Sequence, residues 1–426
     1  MGIFLRQLNE STIKYLRRCK LLVIGAGTGG CSTVSRFARK LKDNEIIILE
    51  PSPVHYYQPM FSLIAAGLKK QSDSCRPLEN ILPANVDWIK DYADDFDPCN
   101  KIVYTKCGHK ILYDFMVIAV GLKNDYDKIL GLFEALENKT RNVSTIYASK
   151  YCTKTWDNIV NFRGGHAIFT YPSNGGKCGG AAQKIMYLAD DYWKKHKIRD
   201  NINITYNTGG DVLFGVSKYA TALQKIVADR NISVNYCSEL VEINEREAVF
   251  KDSDGGKIIL PYNFLHVTPP MSPPKCLTRC KELVTESGYL DVNKYTLQHR
   301  SFPDIYGIGD CISTPNSKSA AAVAAQSSIV ERNLTNTMTD KPPVAKYNGY
   351  GACSILTSYK TGILAEFLYD KRVWETFPFD QSKERRLFFS LQKEYFPYLY
   401  WNKVITGKWD GPSRLRNIIN PLRRQY

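Results

Sequence analysis

The chain has 426 residues, of which 44% are hydrophobic and 23% are charged, and its net charge is +15. This length predicts two or three domains, and the composition excludes a disordered or collagen-like chain. The basic residues are dispersed and no nucleic-acid-binding motif occurs, so the charge favours an anionic membrane surface or anionic substrate and excludes nucleic acid as the expected partner.

Residues 1–19 are predicted to form a basic leader before the first strand. The segment is rich in lysine, arginine and hydroxyl-bearing residues and contains one acid, Glu10. This composition is typical of a mitochondrial targeting segment, and a plain basic leader without a targeting role is the alternative.

Residues 20–145 are predicted to form the first part of a dinucleotide-binding domain. A strand, a helix and a second strand follow each other here, which indicates a parallel sheet. The polar residues 71–110 are expected to form an antiparallel excursion before the sheet resumes. The predicted strands are 20–24, 45–49 and 115–120, and the predicted helix is 29–41.

A second α/β unit is predicted over residues 146–290. The chain then returns to the first domain over residues 291–340 and ends in a C-terminal region, residues 341–426. The fold class is therefore α/β, with two Rossmann-like dinucleotide-binding domains, the second inserted in the first, plus a C-terminal membrane-docking region. The later predicted strands are 167–170, 202–206, 233–236 and 305–310, and the later helices are 179–195, 219–230 and 318–329.

A glycine turn follows the first predicted strand, opens a helix and matches G-x-G-x-x-G. The first glycine permits a tight turn, the second lets the backbone approach a pyrophosphate, and the third lets the helix pack on the strand. An acid closes the next strand roughly 20 residues later, where a carboxylate accepts ribose hydroxyls. A dinucleotide site is therefore predicted, with a turn that serves packing alone as the alternative. Its residues are Gly25, Ala26, Gly27, Gly29, Gly30 and Glu50.

A later predicted strand ends in Gly309 and Asp310, before a helix that is predicted to begin at Lys318. This pattern resembles the two-dinucleotide-fold flavoproteins, in which the aspartate binds the ribityl chain of FAD. The positive end of the helix would lie near the flavin and stabilise its anionic reduced form. Gln58 and Gly121 complete the predicted FAD site, and an ordinary helix cap is the alternative for Asp310.

The second α/β unit has no glycine fingerprint after its first strand. Its place is taken by a loop that carries Lys177 and Cys178 at the predicted start of a helix. The helix dipole and the neighbouring ammonium both favour a thiolate, which lowers the pKa of a cysteine below about 8.5. Cys178 is therefore a candidate reactive thiol, and a buried structural cysteine is the alternative.

Longer segments of the chain carry a more specific resemblance. Together they resemble the mitochondrial type of sulfide:quinone oxidoreductase, within the pyridine nucleotide-disulfide reductase superfamily. The resemblance extends from Leu21 to Trp409. The segments that carry it are 56–59, 177–188, 266–274 and 376–385.

The resemblance implies a flavoenzyme that carries FAD, oxidises hydrogen sulfide and reduces ubiquinone. It pairs Cys178 with Cys353 as the two redox cysteines on the sulfide side of the flavin. Hydrosulfide would attack their disulfide, or its sulfur-bridged form, and leave a persulfide on Cys353 and a thiolate on Cys178. That thiolate would pass two electrons to the flavin, and an acceptor thiol or sulfite would take the sulfane sulfur.

Two other functions remain open at this point. A type-II NADH:quinone oxidoreductase would share the fold, the FAD and the membrane docking, but it needs a second glycine fingerprint and no cysteine pair. A non-catalytic flavoprotein of the apoptosis-inducing type would tolerate the loss of Cys178.

The C-terminal region is aromatic and basic. Short amphipathic segments of this kind lie in a bilayer interface, and no apolar run in the sequence approaches the roughly 20 residues that a spanning helix needs. Together with the lipid acceptor that the resemblance implies, this leads us to expect peripheral or monotopic attachment to the mitochondrial inner membrane. A dimerisation or core-covering element is the alternative, and a homodimer stays open.

The remaining cysteines and histidines receive no role from the sequence. Cys276 and Cys280 have a metal-like spacing, but no histidine or second cysteine pair accompanies them, so no metal site is predicted. Cys311 is expected to serve packing, and His55 and His299 are expected to be structural or surface residues.

Overall fold

The computed structural model describes residues 15–174 and 176–420. Residues 1–14, which make up most of the predicted leader, lie outside the described residues. Two π-helical turns, Leu391–Tyr395 and Tyr400–Val404, alternate with short α-helices near the C-terminus. The α-helices are Thr28–Phe37, Phe61–Ile64, Leu132–Glu137, Ser149–Asn161, Ala181–Lys195, Ser217–Asp229, Lys275–Arg279, Ala320–Thr337, Arg386–Ser390, Phe396–Leu399 and Ser413–Ile419.

The first sheet is built around parallel strands and ends in an antiparallel edge, as the polar stretch 71–110 predicts. Leu21, Leu22 and Val23 are fully buried on the central strand, because a parallel sheet is covered on both faces. In spatial order the strands are Val86–Ile89, Ile46–Leu49, Tyr15–Ile24, His109–Ile118, Ile102–Thr105 and Ala93–Asp97, with Ile305–Gly307 beside the end of His109–Ile118.

The second sheet is parallel throughout its described strands. In the sequence, its strands come after His109–Ile118 and before Ile305–Gly307, which both belong to the first sheet. A separate antiparallel sheet follows it in the sequence. The predicted α/β class, with one unit inserted in the other, is confirmed. The strands of the parallel sheet are Val143–Ser144, Phe264–His266, Gly165–Tyr171, Ile202–Thr208 and Ser233–Asn235, and those of the antiparallel sheet are Glu239–Ile243, Glu247–Lys251 and Lys257–Pro261.

Several element boundaries differ from the predicted ones. The first strand begins at Tyr15 rather than residue 20, because residues 15–19 pair with residues 109–113 of a distant strand. The helix predicted from residue 318 begins at Ala320, where the Ser319 hydroxyl accepts a hydrogen bond from Ala322 N, and it continues to Thr337. Pairing and capping partners of this kind do not follow from hydrophobic periodicity.

The C-terminal region begins with a hairpin of the strands Gly351–Leu356 and Gly362–Phe367. The chain then crosses helix Thr28–Phe37, where Ser35 and Arg36 donate hydrogen bonds to the carbonyl oxygens of Ile405 and Trp409. The C-terminal region therefore packs directly on the first domain. None of the helices described within residues 15–174 and 176–420 is long and apolar enough to span a bilayer.

Candidate active site

A cavity of about 480 Å³ extends from the glycine turn to the C-terminal region. It lies at the carboxyl ends of the parallel strands, where open α/β sheets bind their ligands. Ala26 and Gly30, which were predicted with the glycine turn, lie within the turn rather than on the cavity wall. The predicted residues that line the cavity are Gly25, Gly27, Gly29, Glu50, Gln58, Gly121, Cys178, Gly309, Asp310, Lys318 and Cys353.

The glycine turn requires glycine at two positions for different reasons. Gly25 has a φ of +94°, which side-chain-bearing residues rarely adopt. A Cβ on Gly30 would lie 1.8 Å from the carbonyl oxygen of Gly25, so the helix can pack this closely only without a side chain there. At Gly27 a Cβ would meet no atom of the described chain within 4 Å, because the space beside it is open.

Glu50 links the glycine turn to the loop that follows its own strand. Its Oε2 accepts from Ala26 N at 2.8 Å, and its Oε1 accepts from Ser52 N at 2.8 Å. Each carboxylate oxygen can accept more than one hydrogen bond, so Glu50 keeps capacity for hydroxyl groups in the cavity that it lines.

Two cysteines that are distant in the sequence meet at the other end of the cavity. The Sγ atoms of Cys178 and Cys353 are 3.1 Å apart, although 175 positions separate them. Cys353 lies on the strand Gly351–Leu356, which pairs with the strand Gly362–Phe367 that follows it. Cys178 has a φ of +46°, and its N–H donates to the carbonyl oxygen of Lys318 at 3.0 Å.

The two thiols titrate differently. The hydrogen bond with Cys353, which is the largest cause, and the Lys184 ammonium together lower the pKa of Cys178 to about 6 although burial opposes them. The same hydrogen bond, together with burial, raises the pKa of Cys353 well above its ordinary value of 9.0. Cys178 is therefore the thiolate of the pair, and Cys353 keeps its proton.

The cation that acts on Cys178 is not the one predicted from the sequence. Lys177 donates to Gln58 Oε1 at 3.3 Å, whereas a backbone hydrogen bond from Gly180, which caps the helix Ala181–Lys195, lowers the pKa of Cys178. Lys184 instead lies on the inner face of that helix and is 4% exposed. A lysine on an otherwise buried helix face is unusual, and that pattern could have identified it in the sequence.

The chain is similar in sequence to several known proteins. The family model for pyridine nucleotide-disulphide oxidoreductases matches residues 19–160. The mitochondrial sulfide:quinone oxidoreductase of Mus musculus is 42% identical over 94% of this chain and 89% of its own length. That of Dictyostelium discoideum is 39% identical over 94% of this chain and 89% of its own. The chain belongs to the sulfide:quinone oxidoreductase family.

A solved structure extends the comparison to the fold. The sulfide:quinone oxidoreductase of Aquifex aeolicus superimposes with a TM-score of 0.80 at 19% identity, and the match covers 96% of each chain. At this identity the likeness supports the fold, which is the α/β fold of the pyridine nucleotide-disulphide oxidoreductases. The resemblance drawn from the sequence motifs is confirmed.

Members of this family are flavoproteins that carry FAD, and the cavity fits this group. The open space beside Gly27 suits a pyrophosphate, and Gly309 and Asp310 line the same cavity. Ser319 and Ala320, at the start of a long helix, line it as well, so the positive end of that helix lies at the cavity wall.

Lys318 lies just before this helix and is held by backbone oxygens. Its Nζ donates to the carbonyl oxygens of Ile312 and Thr314 at 2.6 and 3.1 Å. Burial lowers the pKa of Lys318 to about 8. Lys318 thus fixes the loop that links Asp310 to the helix as well as lining the cavity.

His55 and Tyr400 are parts of the site that the sequence reasoning did not identify. His55, expected to be a structural or surface residue, is buried and contacts both the carbonyl oxygen of Ala26 and the hydroxyl of Tyr400. Tyr400 lines the cavity beside the glycine turn. The sequence offers no signal that pairs residues so far apart.

Among its described residues, which omit residue 175, the second α/β unit has a carboxylate where a nucleotide phosphate would bind. Where a dinucleotide phosphate would meet the loop after strand Gly165–Tyr171, Ser173 N donates to Glu239 Oε2 at 2.7 Å. That oxygen would lie 1.9 Å from a Cβ on Gly209. The Glu239 carboxylate, which contacts this loop from a neighbouring strand, would repel a phosphate. The geometry therefore opposes the NADH-dependent alternative.

The aromatic residues of the C-terminal region divide into two sets. Tyr400 and Trp401 are buried against the first domain, so part of the region covers the core, as the alternative interpretation had it. Tyr398 is 58% exposed and Ile418 is 76% exposed, and Leu387 and Tyr395 are exposed as well. This second set is the apolar surface of the region that faces outward.

Proposed function

We propose that this chain oxidises sulfide at the pair Cys178 and Cys353 and transfers the electrons through FAD to a quinone. The observation that carries the proposal is the 3.1 Å separation of the two Sγ atoms in the cavity that also holds the glycine turn. A redox pair beside a dinucleotide site is the arrangement that a thiol-to-flavin electron transfer requires.

The pKa difference assigns the two cysteines different parts. In thiol–disulfide exchange the thiol of lower pKa leaves faster. Cys178 has the lower pKa, about 6, to which the Lys184 ammonium contributes. Hydrosulfide therefore attacks the Cys353 sulfur of the disulfide and expels the Cys178 thiolate, which leaves a persulfide on Cys353.

The sulfur then leaves on a small acceptor. An acceptor thiolate or sulfite attacks the outer sulfur of the Cys353 persulfide, takes it, and leaves Cys353 as a thiolate. Reforming the Cys178–Cys353 disulfide releases two electrons, and bound FAD supplies the chemistry that accepts this pair and passes it on to the quinone. Cys178 and Cys353 thereby return to the oxidised state that the next hydrosulfide needs.

We propose that the quinone binds at the end of the cavity that lies in the C-terminal region. Its wall there is apolar and includes Phe396, Leu399, Val404 and Leu415, which suits a lipid-soluble acceptor. The exposed apolar surface of the same region, with the basic charge of the chain, supports docking on one face of an anionic membrane. Because the relatives are mitochondrial, we place the chain on the mitochondrial inner membrane.

An anaerobic flavin titration tests this function. Sulfide should bleach the visible absorbance of the FAD-loaded protein, and a quinone should restore it, whereas NADH should leave it unchanged. Cys178→Ser and Cys353→Ser should each abolish bleaching by sulfide, and Cys99→Ser, at an exposed cysteine outside the cavity lining, should not. Bleaching by NADH alone, or unchanged bleaching in both cavity variants, would contradict the proposal.

A further inference from the structure

A chain of hydrogen bonds joins the C-terminal region to the glycine turn. The Tyr400 hydroxyl oxygen lies 2.6 Å from His55 Nε2 and 2.9 Å from Thr28 Oγ1. His55 Nδ1 lies 2.8 Å from the carbonyl oxygen of Ala26. Tyr400 and His55 therefore bridge Ala26 and Thr28, the two residues on either side of Gly27.

Chemistry sets the direction of every bond in this bridge. The Ala26 carbonyl can only accept, so His55 Nδ1 carries the proton and Nε2 is an acceptor. Tyr400 therefore donates to His55 and accepts from the Thr28 hydroxyl. Burial lowers the pKa of His55, so the ring stays neutral and keeps this tautomer.

Packing holds Tyr400 in the position that the bridge needs. The side chain is 2% exposed, and its ring centroid lies 4.2 Å from that of Tyr57, which lines the cavity. The next residue, Trp401, packs edge-on against His55, and the guanidinium of Arg76 lies 4.3 Å from a Trp401 ring centroid. The bridge is thus part of a rigid aromatic cluster rather than a surface contact.

We propose that Tyr400 is a positioning residue for FAD, which holds the glycine turn in the conformation that receives the pyrophosphate. A Cβ on Gly27 would meet no atom of the described chain within 4 Å, so the tip of the turn gains little restraint from packing. The bridge restrains both of its flanks instead. This inference rests on the placement of FAD in the proposed function.

Binding of FAD to the stripped protein measures the effect directly. FAD is removed from the purified full-length protein, and the Kd is determined by the change of flavin fluorescence on adding it back. Tyr400→Phe keeps the ring and removes the hydroxyl, which leaves His55 Nε2 without its donor. The Kd should rise about tenfold, or about 1.4 kcal/mol, within the cost of an unpaired buried group. Tyr398→Phe, at the exposed tyrosine of the same region, should leave the Kd unchanged.

A double-mutant cycle separates positioning from a general loss of stability. His55→Phe removes the acceptor of the Tyr400 hydroxyl and with it the link to Ala26, so Tyr400→Phe should have a much smaller further effect on the Kd in that background. A non-specific destabilisation would persist there, and it would lower the thermal unfolding midpoint of the FAD-free protein. Additive effects on the Kd, or an unchanged Kd in Tyr400→Phe, would overturn the inference.

A further variant tests the FAD placement itself. Glu50→Ala removes the carboxylate from the predicted ribose position and should weaken FAD binding whether or not Tyr400 acts as proposed. If Glu50→Ala weakens FAD binding and Tyr400→Phe does not, the inference about Tyr400 is overturned and the placement of FAD stands. Full FAD affinity in Glu50→Ala overturns the placement and the inference with it.

Discussion

Replacing Cys353 by alanine removes the hydrogen bond that makes Cys178 acidic. That bond is the largest cause of the lowered pKa of Cys178, which is about 6 against an ordinary 9.0. Alanine cannot donate a proton, so the pKa of Cys178 should return to its ordinary 9.0 or above and the midpoint of its titration should move by about three pH units or more. Burial, the second-largest cause, adds to this rise, and Lys184 opposes it.

The expected rates follow from thiolate population and nucleophilicity together. At pH 7 a thiol of pKa about 6 is about 90% ionised, whereas a thiol of pKa about 9 is about 1% ionised. The more basic thiolate is intrinsically about 20-fold more reactive for a Brønsted slope of about 0.4–0.5. Alkylation of Cys178 at pH 7 should therefore fall only about fourfold, and the plateau at high pH should rise about 20-fold.

Iodoacetamide labelling of the reduced protein provides the assay. The peptide that contains Cys178 is quantified by mass spectrometry over a range of pH values, in the parent protein and in Cys353→Ala. The two curves of labelling rate against pH should cross, with a midpoint at higher pH and a higher plateau in Cys353→Ala. That result would support Cys353 as the cause of the low pKa of Cys178. A midpoint that stays near pH 6 in Cys353→Ala would refute Cys353 as the cause, and a parent midpoint near pH 9 would refute the acidic thiol itself.

Two further substitutions test the packing that surrounds the site. Gly30→Ala should abolish FAD binding, because its Cβ would lie 1.8 Å from the Gly25 carbonyl oxygen. Gly210→Ala, whose Cβ would lie 3.6 Å from the nearest atom, should bind FAD normally. The flavin content of the two purified proteins tests both expectations. Arg416→Met should lower the free energy of unfolding by about 3–5 kcal/mol, because it leaves the buried carboxylate of Glu366 without its cation. The Glu366→Gln background should recover part of that loss in thermal unfolding, and an unchanged midpoint in Arg416→Met would show that the pair contributes no stability.

Features that depend on neighbours in the sequence were predicted well. The alternation of strands and helices and the glycine turn involve contacts within a few residues, and the structure contains both. Boundaries were less accurate where a distant partner decides them. Residues 15–19 form a strand because residues 109–113 lie beside them, and no local pattern contains that pairing.

The cysteine pair lies between these two cases. Cys178 was a candidate from its loop, but its partner came from the resemblance to a family and not from spacing or chemistry. The cause assigned to its reactivity was incomplete: Cys353 and Lys184 lower its pKa, and so does a backbone hydrogen bond from Gly180 at the start of the helix. Hydrogen bonds and buried charges depend on distances of a few ångströms, which only the folded chain defines.

The α/β class, the dinucleotide turn and the family could be predicted from the sequence, because each depends on residues that lie close together in the chain. Tertiary structure decided that the Sγ atoms of Cys178 and Cys353 lie 3.1 Å apart and that Tyr400 reaches the turn beside Thr28. It also decided which aromatic residues of the C-terminal region are buried and which face outward. These contacts join residues that are far apart in the chain, and the packing of whole domains brings them together.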